Sequence, residues 1–300
     1  MCIVFMGTPS YAAVILESLL KNYTICALVC QEDKKAGRNL KLKIPATKEL
    51  VQNLGQSIPI LQPQILDNDF AESLKEFKPD FIIVAAYGKI LPKAVLDIAP
   101  CVNLHASILP RFRGASPIQQ SILENEKYFG VTLMQMAEGL DCGDILGFRV
   151  CKNTKQNAQE LFAQISKMAA QLTLEYLENY KKIIPLPQIE ADSTLCRKIK
   201  KEFGVVEFDN AIKLESKFLA YVGWPEVMLK SGLKLKSVRV AEVVNNYKAG
   251  EILEITQEQV RIGCKKGSVW ISNVQAPSKK EIPAFAYLQG RRLKIGDILE

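Results

Sequence analysis

Residues 2–20 read CIVFMGTPSYAAVILESLL. The apolar run 2–6 is closed by Gly7, Thr8 and Pro9, so it predicts a short buried strand ending in a turn. From Ser10 to Leu20 the apolar residues fit a helix. The pattern then repeats. Residues 24–30, TICALVC, predict a second strand, and 58–61 and 80–86 predict two more, separated by a helical segment around Phe70, Leu74 and Phe77. Residues 101–104 predict another strand, 115–124 a helix, and 130–136 and 145–150 further strands. Strand–helix alternation of this kind predicts an α/β fold: a mostly parallel sheet with helices on both faces.

Residues 155–180 carry apolar side chains at Ala158, Leu161, Phe162, Ile165, Met168, Ala169, Leu172 and Leu177, a spacing that predicts an amphipathic helix packed on the sheet or on a second domain. Residues 181–190, KKIIPLPQIE, hold two prolines and no sustained period, and predict an extended crossover. After about residue 204 the pattern changes. A helix is predicted over 209–221, then strands over 232–244, 251–256, 259–264 and 267–274, divided by Gly, Asn or charged turns. Short strands at this spacing predict a small β-barrel or sandwich.

The 300 residues favour two domains over one. With 48% hydrophobic and 24% charged residues, the chain is neither disordered, collagen-like nor a coiled coil. The net charge of +7 suits an acidic partner such as nucleic acid, and its distribution says more than its sum. Residues 200–300 hold 17 basic and 12 acidic groups, and residues 31–48 hold six and two. The eight cysteines contain no C-x-x-C and no zinc-like grouping with histidine, so they read as structural thiols rather than as a disulfide framework. The chain starts on a strand pattern rather than a signal peptide, and no run of 18 apolar residues occurs. A cytoplasmic protein without membrane contact is expected.

The one histidine, His105, follows the strand Cys101-Val102-Asn103-Leu104. Carboxyl ends of parallel strands are where functional groups gather, and histidine exchanges protons near neutral pH. Alternation puts Asn103 and His105 on one side of the extended segment, and Asn103 could donate to a developing oxyanion. The turn Gly139-Leu140-Asp141-Cys142-Gly143-Asp144 offers Asp141 as a carboxylate partner; Asn103 and Asp141 could equally cap turns. In Leu109-Pro110-Arg111-Phe112-Arg113-Gly114 the arginines could meet phosphates or carboxylates, or form a solvated run. Met6-Gly7-Thr8-Pro9 lacks G-x-G-x-x-G, so a dinucleotide site is weakly supported.

These segments together resemble the methionyl-tRNA formyltransferases over nearly the whole length. The resemblance is carried by IVFMGTPSYAAVILESLL, by the basic loop with Ala36-Gly37-Arg38, by FIIVAAYGKILP, by NLHASILPRFRGASPIQQSI and by GLDCGDIL. In the tail it continues through residues 195–201, 206–208 and Trp224-Pro225. It implies a Rossmann-like formyltransferase domain over 1–190, a linker region over 191–204 and an open OB-like, tRNA-binding barrel over 205–300. It implies Asn103, His105 and Asp141 as catalytic residues. The folate contacts would be Ser107, Ile108, Leu109 and Pro110, with the folate floored by 84–91 and 107–110. The donor would be 10-formyltetrahydrofolate and the acceptor initiator methionyl-tRNA, held in part by Arg38, Lys41 and Lys43. No metal is expected, and the chain is expected to act as a monomer. The chain departs from the family pattern at Cys142, usually Thr, at Asn39-Leu40-Lys41, where a second glycine is common, at Lys217, usually Arg, and at Gly223 and Glu226. Related readings are a formyltransferase acting on glycinamide ribonucleotide or on an amino-sugar nucleotide, and a non-catalytic tRNA-binding protein. The tail of about 95 residues and the early basic insertion disfavour the first, and the intact Asn, His and Asp set disfavours the last.

Overall fold

In the computed structural model the opening strand is β1 (Cys2–Gly7) and the helix after it is α1 (Ser10–Leu20). The structure describes residues 1–36 and 41–300, and of residues 35, 36 and 41 the backbone alone. The chain continues through β2 (Thr24–Val29), β3 (Lys34–Ala36), β4 (Lys41–Lys43), α2 (Ala46–Asn53), β5 (Ile60–Leu61), α3 (Asn68–Lys75), β6 (Phe81–Ala85) and α4 (Lys93–Leu96). It then forms β7 (Cys101–His105), β8 (Arg113–Gly114), α5 (Pro117–Leu123), β9 (Tyr128–Gln135), β10 (Ile145–Lys152), α6 (Ala158–Asn179) and β11 (Leu195–Cys196).

Seven strands form one sheet in the order β10-β9-β7-β6-β1-β2-β5. Strands β7, β6, β1, β2 and β5 run parallel, and β9 runs antiparallel to both its neighbours, β7 and β10. Residues 136–144, between β9 and β10, are too few for a crossover, so those two strands pair antiparallel. Ile3, Val4, Phe5 and Met6 are fully buried, as an apolar run covered on both faces requires. Each such side chain contributes about 1.5–3 kcal/mol relative to exposure. The strand order reverses between β6 and β1, and in open α/β sheets ligands gather at the carboxyl ends beside such a reversal. On α6, Tyr176 meets Phe81 of β6 edge-on at 5.9 Å between ring centroids; of the expected apolar residues Ala158, Leu161, Ile165, Ala169, Leu172 and Leu177 are buried, whereas Phe162 is exposed and Met168 partly covered.

Two expectations change. The basic segment after β2 is a hairpin, with Lys34 opposite Lys43 and Ala36 opposite Lys41. Cys2 and Cys26 form a disulfide, with Cα atoms 5.8 Å apart, while the other six cysteines are free. The pairing depends on strand register, which shifts between Ile3 and Val4 and leaves Cys26 outside the ladder beside Cys2; cysteine spacing does not reveal it.

The remainder comprises α7 (Ala211–Ala220), β12 (Lys234–Leu235), β13 (Arg239–Glu242), β14 (Ile252–Ile255), β15 (Val260–Gly263), β16 (Ser268–Ile271), β17 (Asn273–Gln275), β18 (Ile282–Pro283) and α8 (Ala284–Arg291). Two antiparallel sheets result, β13-β16-β15-β14 and β12-β17-β18. The buried Glu215 ties α7 to this part: it accepts from Val240 N–H at 2.8 Å and from Lys155 Nζ at 3.0 Å. The chain divides into two compact units. One holds Met1–Pro117, Tyr128–Lys152 and Phe162–Cys196, and the other Ile118–Lys127, Asn153–Leu161 and Arg197–Glu300. Among the described residues no helix is long and apolar enough to cross a membrane.

Candidate active site

The parallel strand β7 delivers Asn103 and His105 to the carboxyl edge of the sheet. Asn103 lies between Val84 of β6 and Met134 of β9, and His105 ends the strand opposite Thr132. His105 is 6% exposed. Its Nε2 faces the Phe112 carbonyl at 2.8 Å and its Nδ1 faces Asp141 Oδ2 at 3.5 Å. Both ring nitrogens therefore face acceptors. A ring with one proton satisfies one of them, and a ring with two satisfies both.

Asp141 comes from the turn between β9 and β10. Its φ of 50° is in the left-handed region, which aspartate tolerates better than most side chains. Its Oδ2 accepts from the Gly114 N–H at 2.9 Å, and its Oδ1 lies 3.4 Å from Asn103 Nδ2. One carboxylate thus meets both strand residues. The 3.4 and 3.5 Å separations are long for hydrogen bonds, and such contacts commonly tighten once substrate is bound. The turn is pinned where Gly143 passes the Gln135 carbonyl: a Cβ at Gly143 would sit 1.8 Å from that oxygen.

The loop after β7 is held from inside. Thr132 Oγ1 donates to the Ser107 carbonyl at 2.7 Å and accepts from the Leu109 N–H at 3.0 Å. Ser107 donates its hydroxyl to the Arg111 carbonyl at 2.7 Å. Of the four residues expected to contact folate, Ser107 and Leu109 are buried, and Ile108 and Pro110 are partly exposed. In the neighbouring segment after β6, Ile90 is 85% exposed and Tyr87 is buried. Tyr87's hydroxyl has no partner among the described residues, and burial pushes its pKa up to about 12.

The two arginines of the loop part company. Arg111 is exposed, and its guanidinium lies over the Phe112 ring. Arg113 is buried, with Nη1 on both oxygens of the exposed Glu190 at 2.9 and 3.1 Å and Nε on Gln188 Oε1 at 3.0 Å. Of the residues expected at tRNA, Arg38 lies outside the described residues, as does the side chain of Lys41. Lys43 is exposed on β4, opposite Lys34. Neither lysine forms an ion pair among the described residues, and like charges directly opposite on paired strands are destabilising. No group of three His, Cys, Asp or Glu among the described residues could hold a metal.

Sequence reasoning missed the Phe112 carbonyl, the Gly114 N–H and Gln188. The first two are backbone groups without a side-chain signature. Gln188 offered one faint signal, a lone amide within the apolar, proline-rich run KKIIPLPQIE.

Comparison with known proteins adds to this geometry. A family model described as formyl transferase matches residues 1–177, and one described as formyl transferase, C-terminal domain, matches 198–292. The methionyl-tRNA formyltransferase of Wolinella succinogenes is 48% identical over 301 aligned positions, covering 99% of each chain. Among solved structures, the sugar 3N-formyl transferase WlaRD, in the presence of dTDP and 5-N-formyl-THF, has a TM-score of 0.69 at 18% identity, covering 93% of this chain and 99% of its own. A methionyl-tRNA formyltransferase from Clostridium thermocellum has a TM-score of 0.56 at 20% identity, covering 83% of this chain and 96% of its own.

Proposed function

The chain belongs to the methionyl-tRNA formyltransferases, and from that premise we infer that it moves a formyl group from 10-formyltetrahydrofolate to the α-amine of methionine on initiator tRNA. The observation that carries the reading is the meeting of Asn103, His105 and Asp141 at the end of β7, in a chain 48% identical to a relative of that name over its full length. The sugar formyltransferase superposes well, but at 18% identity it shares the fold alone.

The uncharged amine attacks the formyl carbon, and a C–N bond forms as the carbonyl electrons move to oxygen. Asn103 donates to that oxyanion. The intermediate collapses by breaking the bond to folate N10, which takes up the proton the amine has lost. His105 carries that proton on Nε2 once substrate takes the place of the Phe112 carbonyl there, while Asp141 holds Nδ1. The chemistry assigned to these residues needs no metal. The folate lies along 84–91 and 107–110, with Ile108 and Pro110 as surface contacts and Ser107 and Leu109 shaping the loop beneath. Residues 1–190 carry the transfer and 205–300 hold the tRNA, with 191–204 between them. Arg38, Lys41 and Lys43 meet phosphate, a contact that positions nucleic acid without reading sequence. All three catalytic residues come from one chain, so a monomer suffices, and the work belongs in the cytoplasm where translation begins.

The test offers one folate donor with four acceptors: methionyl-initiator tRNA, methionyl-elongator tRNA, glycinamide ribonucleotide and an amino-sugar nucleotide. Formylation of the initiator alone is expected. Preferential formylation of either small acceptor, or tRNA binding without transfer, overturns the reading.

A further inference from the structure

We propose that Gln188 is a positioning residue for the transfer, holding the Asp141 turn in the geometry that lets the carboxylate face His105 and Asn103. The proposal rests on the assignment of those three residues to the reacting centre.

The side chain of Gln188 joins three groups. Its Nε2 donates to the Asp141 carbonyl at 2.9 Å and to the Gly143 carbonyl at 2.7 Å. Its Oε1 accepts from Arg113 Nε at 3.0 Å. Both amide protons thus go to one turn, one of them to the backbone of Asp141 itself. The oxygen decides which end of the planar amide faces the turn. Here the oxygen is fixed by a buried guanidinium, which Glu190 holds through both carboxylate oxygens.

The backbone brings Gln188 there by ladder rather than by chance of packing. Leu186 exchanges both backbone hydrogen bonds with Ile145, the first residue of β10, at 2.8 and 2.9 Å. Two residues further on, Gln188 reaches back over the turn that precedes β10. Beyond it, β11 pairs with β8, and Thr194 accepts from the Arg113 N–H at 2.8 Å through its carbonyl and from the Phe112 N–H at 2.9 Å through its hydroxyl. The crossover therefore closes over both partners of His105: the loop that supplies the Phe112 carbonyl and the turn that supplies Asp141. Asp141 sits at a φ of 50°, a left-handed conformation that costs a side-chain-bearing residue energy, and the hydrogen bonds from Gln188 help to hold it there. Gln188 touches no reacting atom in this scheme.

The test uses the full-length, untagged enzyme as wild type, Q188A, Q188E and D141A. Q188E keeps the acceptor for Arg113 and removes both donors to the turn. Steady-state formylation is measured with each substrate varied, and the ring signals of His105, the chain's one histidine, are followed by NMR. If Gln188 positions the turn, kcat falls about 10- to 100-fold in Q188A and Q188E, the cost of a displacement of about 1 Å. KM for both substrates stays within about twofold, and the His105 resonances move while the remaining spectrum stays folded. Loss of turnover in D141A with wild-type kcat and unmoved His105 signals in both Gln188 variants overturns the proposal alone. Wild-type turnover in D141A overturns the assignment beneath it, and the proposal with it. If Q188A unfolds, Q188E decides, because its interaction with Arg113 remains.

Discussion

A carboxylate that takes a backbone N–H on one oxygen loses most of its rotational freedom, and Asp141 is in this position, with Gly114 donating at 2.9 Å. D141N keeps an oxygen for Gly114 and removes the charge facing His105. It is expected to stay folded and lose about 100-fold or more in kcat, because a preorganised charge is lost without loss of shape; single-turnover formylation measures this, and an unchanged rate would show that the charge is idle. Thr132→Val strips a buried hydroxyl that serves Ser107 and Leu109 at once. It leaves a buried N–H and carbonyl unpaired, which costs about 1–3 kcal/mol. A lower denaturation midpoint and a raised KM for the folate donor are expected, whereas an unchanged KM would detach the 107–110 loop from folate binding. At this scale the sequence was most informative where side chains act. One histidine, alternation on a five-residue strand and a turn with glycines on either side of its aspartate picked out Asn103, His105 and Asp141. It was silent on the Phe112 carbonyl and the Gly114 N–H, because every residue carries such groups and only the fold aims them.

Elements were legible where hydrophobic period and punctuation agreed. Strand β1 and helix α1 follow from an apolar run, a Gly-Thr-Pro break and helical spacing. Helix α2 was missed because only Thr47 and Val51 of its eight residues are buried, too few to show a period. The pairing of β3 with β4 was missed because its lysines read as a charged loop, and strands of three residues each are too short to set a period. The segment 181–190, read as an extended crossover, is extended only over 183–189, because Lys181 and Lys182 at one end and Glu190 at the other lie in 3-10 turns; its work as a partner of β10 depends on the long-range pairing of Leu186 with Ile145. The turn between β9 and β10 gives its own prediction. In Gly143→Ala the new Cβ meets the Gln135 carbonyl, a backbone atom that cannot step aside. A loss of about 1–3 kcal/mol, typical of overpacking, is expected, together with slower turnover as Asp141 is displaced. Chemical denaturation and the transfer assay check both, and a variant with wild-type stability and rate would show that the turn has slack.

The charge acquires a place at the scale of the molecule. The excess of positive groups lies in residues 31–48 and in the last third of the chain, and Lys34 and Lys43, both exposed, stand opposite each other on β3 and β4. Replacing Arg38, Lys41 and Lys43 together should flatten the salt dependence of kcat/KM for methionyl-tRNA, by about 0.7–0.9 in log–log slope for every phosphate no longer neutralised. Kinetics with the folate donor should not change, and an unaltered salt slope would remove this hairpin from the tRNA surface. The division of the chain into an α/β part and an antiparallel part was legible in the change of pattern near residue 204. The membership of 118–127 and 153–161 in the second compact unit was not, since no local signal marks a segment that leaves its neighbours.

The most direct measurement is the single-turnover rate of formyl transfer to methionyl-initiator tRNA at saturating folate donor, in wild type and N103A. With Asn103 as the oxyanion donor, the rate falls about 100- to 1,000-fold, or roughly 2.7–4 kcal/mol, while tRNA is still bound. Transfer by N103A at the wild-type rate would contradict the account.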